Sequence, residues 1–408
     1  MRTVVLCATL LAVAVPSRAG AQSLSLTEFE ALARLSLNSP RVRVIRSSID
    51  MARADALAAA RWPNPRVTLD RESVAGITED ITTVSQPLPV TGRRGLEVQA
   101  ASALVDASSS RADDALRRAR TDLRLAFAQL VAAQVREREL TTAHGRLRDL
   151  ADVLAKRETA GDAAGFDRLR AEREVLDIEA DRATAATDRA RAQALVSSFF
   201  GEAVDPSRIF AVDAVAPRAA LPSVDSLVER SESARGELLA LRKEVDAARL
   251  SARAADRRRI PEPEIVAGTK SSTVGGGDLG SVVMLQAVVP LFDRGRPERA
   301  LADARASQAK SRLEALRLAL RSEITALRTA VLERRETAER YRSAAVGSAD
   351  QIERIAQVSY DAGERGILEL LDAFRTGSVA RVRQAILDLA VRQAEIELEF
   401  VSGWEIPS

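Results

Sequence analysis

From Gly92 to Ala160 no proline interrupts the chain, and from Gly295 to Asp361 the only one is Pro297, near the start of its run. Proline removes a helical hydrogen bond and clashes with the preceding turn, but it is tolerated in the first turn. Each run can therefore be one helix, roughly 100 Å long at about 1.5 Å per residue. Leu116, Leu123, Phe127, Leu130, Leu140, Leu147, Leu150 and Leu154 mark one stripe, and Leu313, Leu316, Leu320, Ile324, Leu327 and Val331 mark another. Steps of three, four and seven are those of a heptad seam. Gly161 and Gly363 break the runs, and a returning helix follows to Gly201 or Gly403. On periodicity alone, a generic antiparallel coiled coil satisfies the pattern equally well.

The two runs belong to two copies of one unit. Ala160-Gly161 recurs as Ala362-Gly363, Leu169, Ala171 and Arg173 as Leu371, Ala373 and Arg375, and Ala183 and Gly201 as Ala385 and Gly403, all at an offset of 202. Upstream the offset is 201: Pro89 matches Pro290, Arg93 matches Arg294, and Ala101 and Ala103 match Ala302 and Ala304. Pro63-Asn64-Pro65 matches Pro261-Glu262-Pro263 at an offset of 198. Single identities are cheap in an Ala- and Arg-rich chain, but ordered landmarks at a near-constant offset indicate a tandem duplication. Each unit opens with a short helix pair: Leu26 to Leu37 and Pro40 to Arg61, then Val224 to Ser233 and Gly236 to Arg259. Thr27 ahead of Glu28 and Glu30 is an N-cap pattern, and a Pro-X-Pro step ends the second helix.

Between the short and long helices lie non-helical stretches that read as hairpins. Val67 to Ala75 and Ile81 to Gln86 flank one turn; Glu264 to Lys270 and Gly280 to Val289 flank a Ser/Gly loop. These lengths approach those of tilted membrane strands. Alternation does not decide the matter. Arg71 sits among Val67, Leu69, Ser73 and Ala75, and both faces of the segment from Val282 to Val289 are apolar. A small soluble sheet fits the composition as readily as a membrane sheet.

The N-terminus directs the chain out of the cytoplasm. Met1-Arg2-Thr3 precedes an apolar run of 12 residues, Val4 to Val15, and Ala19-Gly20-Ala21 supplies small residues for cleavage before Gln22. This is a secretory signal-peptide pattern, too short for a membrane-spanning helix. Cleavage removes Cys7, Arg2 and Arg18, so 60 Lys+Arg become 58 against 58 Asp+Glu. Balanced charge argues against nucleic acid as a partner. No later stretch reaches the apolar length of a transmembrane helix, which leaves a soluble exported protein or a β-barrel. With 13 aromatics in 408 residues, the chain is poorly supplied for a large globular core.

No reaction centre emerges. Without Cys7 the mature chain has no thiol, and its single His144 lies inside a long helical run. Zinc-site and phosphate-loop motifs are missing. Gly275-Gly276-Gly277 suits a hairpin tip. Acids alternate with Arg along the helices, the pattern of a solvated face. Neither an enzyme nor a cofactor or metal site is indicated.

Four segments, taken together, resemble the TolC family of outer-membrane efflux proteins, in the style of its CzcC-like metal-efflux branch. They are Ala60-Arg61-Trp62-Pro63-Asn64-Pro65, the stretch Ser85 to Arg94 (SQPLPVTGRR), Val289 to Arg296 (VPLFDRGR), and Tyr360 to Ala373 (YDAGERGILELLDA). The first resembles entry into a barrel strand, the second and third the exits from two hairpins, and the fourth a periplasmic helical tip. The resemblance implies a mainly α fold with a small β part. Tandem helical hairpins would form an α-barrel, and each protomer of a homotrimer would add four strands to one 12-stranded outer-membrane β-barrel.

Under that resemblance residues 1–21 are the signal peptide and 22–201 the first repeat, with its β-hairpin at about 66–89 and long hairpin at 92–201. Residues 202–223 form a linker, and 224–403 the second repeat, with its β-hairpin at about 264–290 and long hairpin at 294–402. Residues 404–408 are a tail. The implied function is a passive exit duct of a tripartite efflux system. It would sit in the outer-membrane lipid, extend into the periplasm, and work with a periplasmic adaptor and an inner-membrane pump of the resistance-nodulation-division type. Tyr360 and Arg365 would hold a periplasmic gate ringed by Glu369 and Asp372, which share a helix face. Gly161, Asp162, Gly363 and Glu364 would form adaptor-docking tips, with Trp62 and Phe292 at the barrel rim. The first tip departs from the pattern, carrying Glu158 where Tyr360 would match. A protein-secretion duct, a periplasmic adaptor and a coiled-coil scaffold are the alternatives.

Overall fold

The computed structural model describes residues 23–35, 39–160, 165–212 and 219–405. The expected signal peptide, Gly161 and Asp162 lie outside them. The first repeat contains strand β1 (Leu24–Leu26), helices α1 (Glu28–Ala33) and α2 (Pro40–Ala60), strands β2 (Arg66–Val74) and β3 (Ile77–Pro87), and helices α3 (Arg93–Thr159) and α4 (Gly165–Ser197). Strand β4 (Ile209–Ala211) leads into the second repeat. There α5 (Val224–Ala234), α6 (Gly236–Arg257), β5 (Pro263–Ser272), β6 (Asp278–Ala287), α7 (Arg296–Tyr341), α8 (Gly347–Asp361) and α9 (Ile367–Ser402) follow in the same order. The fold is mainly α with a small β part, as expected.

The helix starts obey local rules. Thr27 and Glu30 form a reciprocal capping box on α1, and Ser39 caps α2 with Pro40 in its first turn. Gly295 begins α7 at φ 75°, and a side chain there would meet the Ala255 carbonyl at 2.3 Å. Only glycine satisfies both demands.

Three buried clusters are strung along the helices in place of one core. Leu123, Phe127, Leu130, Val196, Phe199 and Ile209 form the first, and Leu227, Leu320, Ile324, Val331, Leu398 and Trp404 its counterpart in the second repeat. The third gathers Leu147, Leu150, Leu154, Ile367, Leu370 and Leu371 near the helical tips. Elsewhere the seams are packed by alanine, such as Ala107, Ala185, Ala309 and Ala338. Small side chains let helices approach closely without aromatics.

Three expectations need correction. The first helix does not begin at Leu26. Leu24–Leu26 pairs in parallel with Ile209–Ala211, inside the stretch read as a linker. Three-residue strands carry no period to read. What holds this pair is burial of Leu26 and Ile209, and the Gln134 amide, which accepts from the Ala211 N–H at 2.9 Å and donates to the Ala211 carbonyl at 3.2 Å. Charged residues are also not simply a solvated face. Arg111 reaches Glu237 at 3.0 Å and Glu244 at 2.6 Å, tying α3 to α6, and Arg118 reaches Glu397 of α9 at 3.0 Å. Arg335 pairs with the buried Glu395 at 2.7 Å.

The second long run also differs from the unbroken helix expected. Residues Arg342–Val346, between α7 and α8, form a single π-helical turn. Above it, buried Leu123 and Leu130 correspond to Ile324 and Val331 at an offset of 201. Below it, buried Leu147, Ala151 and Leu154 correspond to Ala349, Glu353 and Ala356 at an offset of 202. One extra residue therefore lies between, and a π turn absorbs one residue without turning the lower helix off its buried face.

Glu28 joins the N-terminal segment to both repeats. It accepts from Arg124 of α3 at 2.5 Å and from Arg392 of α9 at 2.7 Å, and Arg124 also binds the buried Glu399. Burial pushes the Glu28 carboxyl up, but the Arg392 and Arg124 guanidiniums prevail and hold it below the ordinary carboxylate value. A lowered folded-state value gives stability that is present above the unfolded value and lost as pH falls through the folded one. We expect Glu28→Gln to lower the thermal midpoint at neutral pH, with the gap to wild type closing as pH falls below about 4. Thermal scans across pH measure this, and a gap independent of pH would contradict it.

Candidate functional site

Two regions carry chemistry: the tips of the long hairpins and the four-stranded sheet. At the second tip, α8 ends and Gly363 takes φ 73°, letting the Glu364 N–H bond back to the Ser359 carbonyl at 2.9 Å. This left-handed residue closes the helix and reverses the chain within a few residues. Glu364 and Arg365 are exposed on the turn.

The expected gate residues are near one another in sequence but are not bonded together. Tyr360 is half-buried against the tip cluster, and its partner is Arg157 of α3. The guanidinium donates to the phenol oxygen at 3.2 Å and lies 5.4 Å from the ring centre. Arg365, Glu369 and Asp372 are exposed and form no ion pair with any described residue. Glu369 and Asp372 lie in the first turns of α9, while their neighbours Leu370, Leu371 and Ala373 are buried.

Arg157 was not found from sequence, because it pairs across the repeats and its counterpart in the second is Ser359. The only signal was the departure at Glu158. That carboxylate binds Arg168 of α4 at 2.5 Å, so the first tip is fastened within its own hairpin.

The sheet runs β2-β3-β5-β6, all antiparallel, with β2 and β6 at the edges. Register resolves the faces that alternation left open. Val67 lies opposite Val84, Val84 opposite Ala267, and Ala267 opposite Val283; Ile265 lies opposite Leu285. With Leu69 these make one apolar face, and Arg71 on it is neutralised by the facing Asp80 at 3.4 Å. The other face carries the charged Arg66, Asp70, Glu72, Glu79, Glu264, Lys270 and Asp278, with Thr68, Thr83, Ser85 and Gln286, beside Ile81, Val266, Val282 and Met284.

Val67, Leu69, Val283 and Leu285 are 63%, 74%, 78% and 74% exposed, whereas the buried residues of the sheet, Thr83, Ser85 and Val266, all lie on the other face, where Asp70, Glu72, Asp278 and Gln286 are exposed. No described element covers the apolar face. Exposed apolar patches of this kind mark interaction surfaces or membrane contact.

Trp62 and Phe292 lie at the helix-facing end of the sheet, just before β2 and just after β6. Trp62 stacks under Arg94, 5.1 Å from its guanidinium carbon, and Phe292 is 97% exposed. The hairpin-tip end, from Val74 to Thr78 and from Thr273 to Leu279, has no aromatic residue. Among the described residues no cluster of acids, His or Cys is arranged to hold a metal ion, and no helix is long and apolar enough to cross a membrane. His144 is half-buried on α3.

The chain is similar to several known proteins. A family model described as outer membrane efflux protein matches residues 227–403. The cobalt-zinc-cadmium resistance protein CzcC of Cupriavidus metallidurans is 23% identical over 342 residues, covering 82% of this chain and 80% of its own. The nickel-cobalt-cadmium resistance protein NccC of Alcaligenes xylosoxydans is 26% identical over 296 residues, covering 69% of this chain and 64% of its own. The solved structure of CusC, described in terms of transmembrane channel formation, superposes with a TM-score of 0.76 at 15% identity, over 93% of this chain and 92% of that one.

Arg157→Ala removes both the hydrogen bond and the cation–π contact on Tyr360. The loss should loosen the tip by about 1–2 kcal/mol. Trypsin is then expected to cut after the exposed Arg365 faster than in the wild type; an unchanged rate would show that Arg157 does not hold the tip.

Proposed function

The chain belongs to the outer-membrane efflux protein family, and on that premise we propose that it is the exit duct of a tripartite efflux system, conducting substrates passively from periplasm to exterior. The observation that carries this reading is the four-stranded sheet, which leaves Val67, Leu69, Val283 and Leu285 exposed on one face and carries most of its charges on the other. Lipid on the outside and water on the inside satisfy both faces. Strands of 9, 11, 10 and 10 residues match what a tilted strand needs to cross the hydrocarbon layer.

The free edges of β2 and β6 support assembly of several copies. In lipid an unpaired edge is untenable, because nothing there can bond its N–H and C=O groups. Four strands are too few to close on themselves. Three copies pairing β6 of one with β2 of the next give a 12-stranded barrel. The long helices would then form a tunnel across the periplasm, with the tips meeting a periplasmic adaptor that links the duct to an inner-membrane pump. Gly363 and Glu364, with Gly161 and Asp162 of the first tip, are the proposed docking residues. Trp62 and Phe292 are the proposed periplasmic rim of the barrel. The duct does no chemistry, and energy comes from the pump.

The proposed gate is the ring of tips, with Tyr360 and Arg365 at the closure and Glu369 and Asp372 lining the constriction. Three-fold symmetry would turn each acid into a ring of three carboxylates, favouring cations. The polar sheet face has the same bias: Asp70, Glu72, Glu79, Glu264 and Asp278 outnumber Arg66 and Lys270. Two relatives are named for resistance to divalent metals, so we take cationic cargo of that class as the substrate reading.

Two measurements test these assignments. Val283→Arg puts a charge on the lipid face, at a cost of about 2–4 kcal/mol near the bilayer midplane. It should deplete the detergent-extracted outer-membrane trimer, whereas Val282→Arg, one residue away on the polar face, should be tolerated. Equal effects would refute the assignment of faces. In planar bilayers, replacing Glu369 and Asp372 together by Ala should widen the channel or reduce its preference for K⁺ over Cl⁻. An unchanged channel would remove these residues from the gate.

A further inference from the structure

All four connections between the sheet and the helices lie at one end of the strands, because β2 and β5 begin there and β3 and β6 end there. Residues 60–66, 87–96, 256–264 and 288–299, which make these connections, contain ten arginines against five acids. The opposite end, residues 70–81 and 270–280, contains five acids against two bases. The basic end is apolar as well: Trp62, Val288, Leu291 and Phe292 are exposed there. Only part of its positive charge is met within the chain.

The internal seam, where the end of β3 meets the start of β5, is closed by acids. Arg93 pairs with Glu262 at 2.9 Å, and Thr91 donates to the same carboxylate at 2.8 Å. Arg259 pairs with Asp256 at 3.6 Å, and Arg299 binds the same acid. The duplication shows what the matching edges, the end of β6 and the start of β2, carry instead. Glu262 corresponds to Asn64 and Asp256 to Ala58 at an offset of 198, and Thr91 to Phe292 at 201. The cations are kept. Arg259 corresponds to Arg61, and Arg93 to Arg294 at 201, or to Arg296 by its place after the left-handed glycine that starts each long helix. Arg61, Arg294 and Arg296 are exposed and form no ion pair with any described residue. Asp293, beside them in sequence, is turned onto the Gly295 N–H at 3.1 Å.

We propose that the seam between copies binds the phosphate of an anionic phospholipid in the leaflet facing the periplasm. The site rests on the three-copy, membrane-inserted reading given above, in which β6 of one copy pairs with β2 of the next and brings Arg294 and Arg296 of the first beside Arg61 of the second. Guanidiniums gathered without a carboxylate repel one another until an anion joins them. Their planar fork matches phosphate oxygens. Trp62, Leu291 and Phe292 lie next to the arginines in the chain, so the site has an apolar part and a cationic part, as a phospholipid has. Arginine is costly in hydrocarbon and favoured at an anionic surface, so three such sites around the barrel also set how deeply the sheet sits.

The full mature chain carries its own reporter. Trp62 lies at the proposed site, and the other tryptophan, Trp404, is buried in the cluster containing Leu320, roughly 36 Å along α7 from Arg296. With the protein reconstituted in phosphatidylcholine vesicles, phosphatidylglycerol and phosphatidylcholine brominated near the head of the acyl chain are compared as quenchers of tryptophan fluorescence. Phosphatidylglycerol should occupy the site about fivefold more readily, the size of one arginine's attraction to an anionic surface. The ratio should fall at high salt. It should approach one when Arg61, Arg294 and Arg296 are together replaced by Gln. Asn64→Glu, which supplies the acid that the internal seam has, should lower it without removing an arginine.

Equal quenching of the wild type by the two lipids would overturn the lipid site and leave the duct standing. A preference that survives both the triple replacement and Asn64→Glu would overturn its location at the seam. A preference abolished by millimolar inorganic phosphate at constant ionic strength would assign the arginines to a soluble anion and overturn the lipid as occupant. No quenching by either lipid would place Trp62 outside the bilayer, refuting the duct and this site with it.

Discussion

A helix of 67 residues cannot bury its length against one core. That constraint shapes the rest of the molecule. Cohesion has to be supplied locally and repeatedly, by alanine seams that bring backbones close and by Arg–carboxylate bridges that set the relative height of neighbouring helices. Arg111, Arg118, Arg124, Arg335 and Arg381 each connect different helices, and each is at least half-shielded. Exposed pairs contribute little, but partly buried, forked ones specify geometry. The scarcity of aromatics follows, because large rings would wedge the helices apart.

The two repeats share their plan but differ in role. The first has a continuous α3 and a tip fastened within its own hairpin by Glu158 and Arg168. The second carries the extra residue, the π turn, and a tip held by Arg157 of its neighbour. Duplication gave two equivalent hairpins. A single extra residue and a few substitutions at the tips now distinguish them, one with a continuous α3 and the other with a π turn.

Much of this was legible in the sequence, for identifiable reasons. Long helices were readable because proline is excluded and apolar residues recur at three and four. The duplication was readable from ordered landmarks such as Pro89 with Pro290 and Gly201 with Gly403. Even the π turn left a trace, the change of offset from 201 to 202, although its form could not be read from that alone. What stayed hidden depended on pairing between distant segments. The short strand Leu24–Leu26 is set by Ile209–Ala211 and Gln134, not by its own pattern. The exposed apolar face of the sheet needed the register of β3 against β5. Arg157 needed the spatial meeting of two tips.

That register also fixes an order of events. Pairing of β3 with β5 brings Pro87 beside Glu264, and the whole first long hairpin, the connecting segment and the second short helices lie between them in the chain. The helices and the β2–β3 hairpin depend on neighbours close in sequence and can form early, whereas contacts of such separation come late. No described element of the chain shelters the apolar face, which lipid or other copies would have to cover. A newly exported copy would thus zip its hairpins first and hold two separate strand pairs, and the sheet that anchors it would be the last element completed, at the membrane itself.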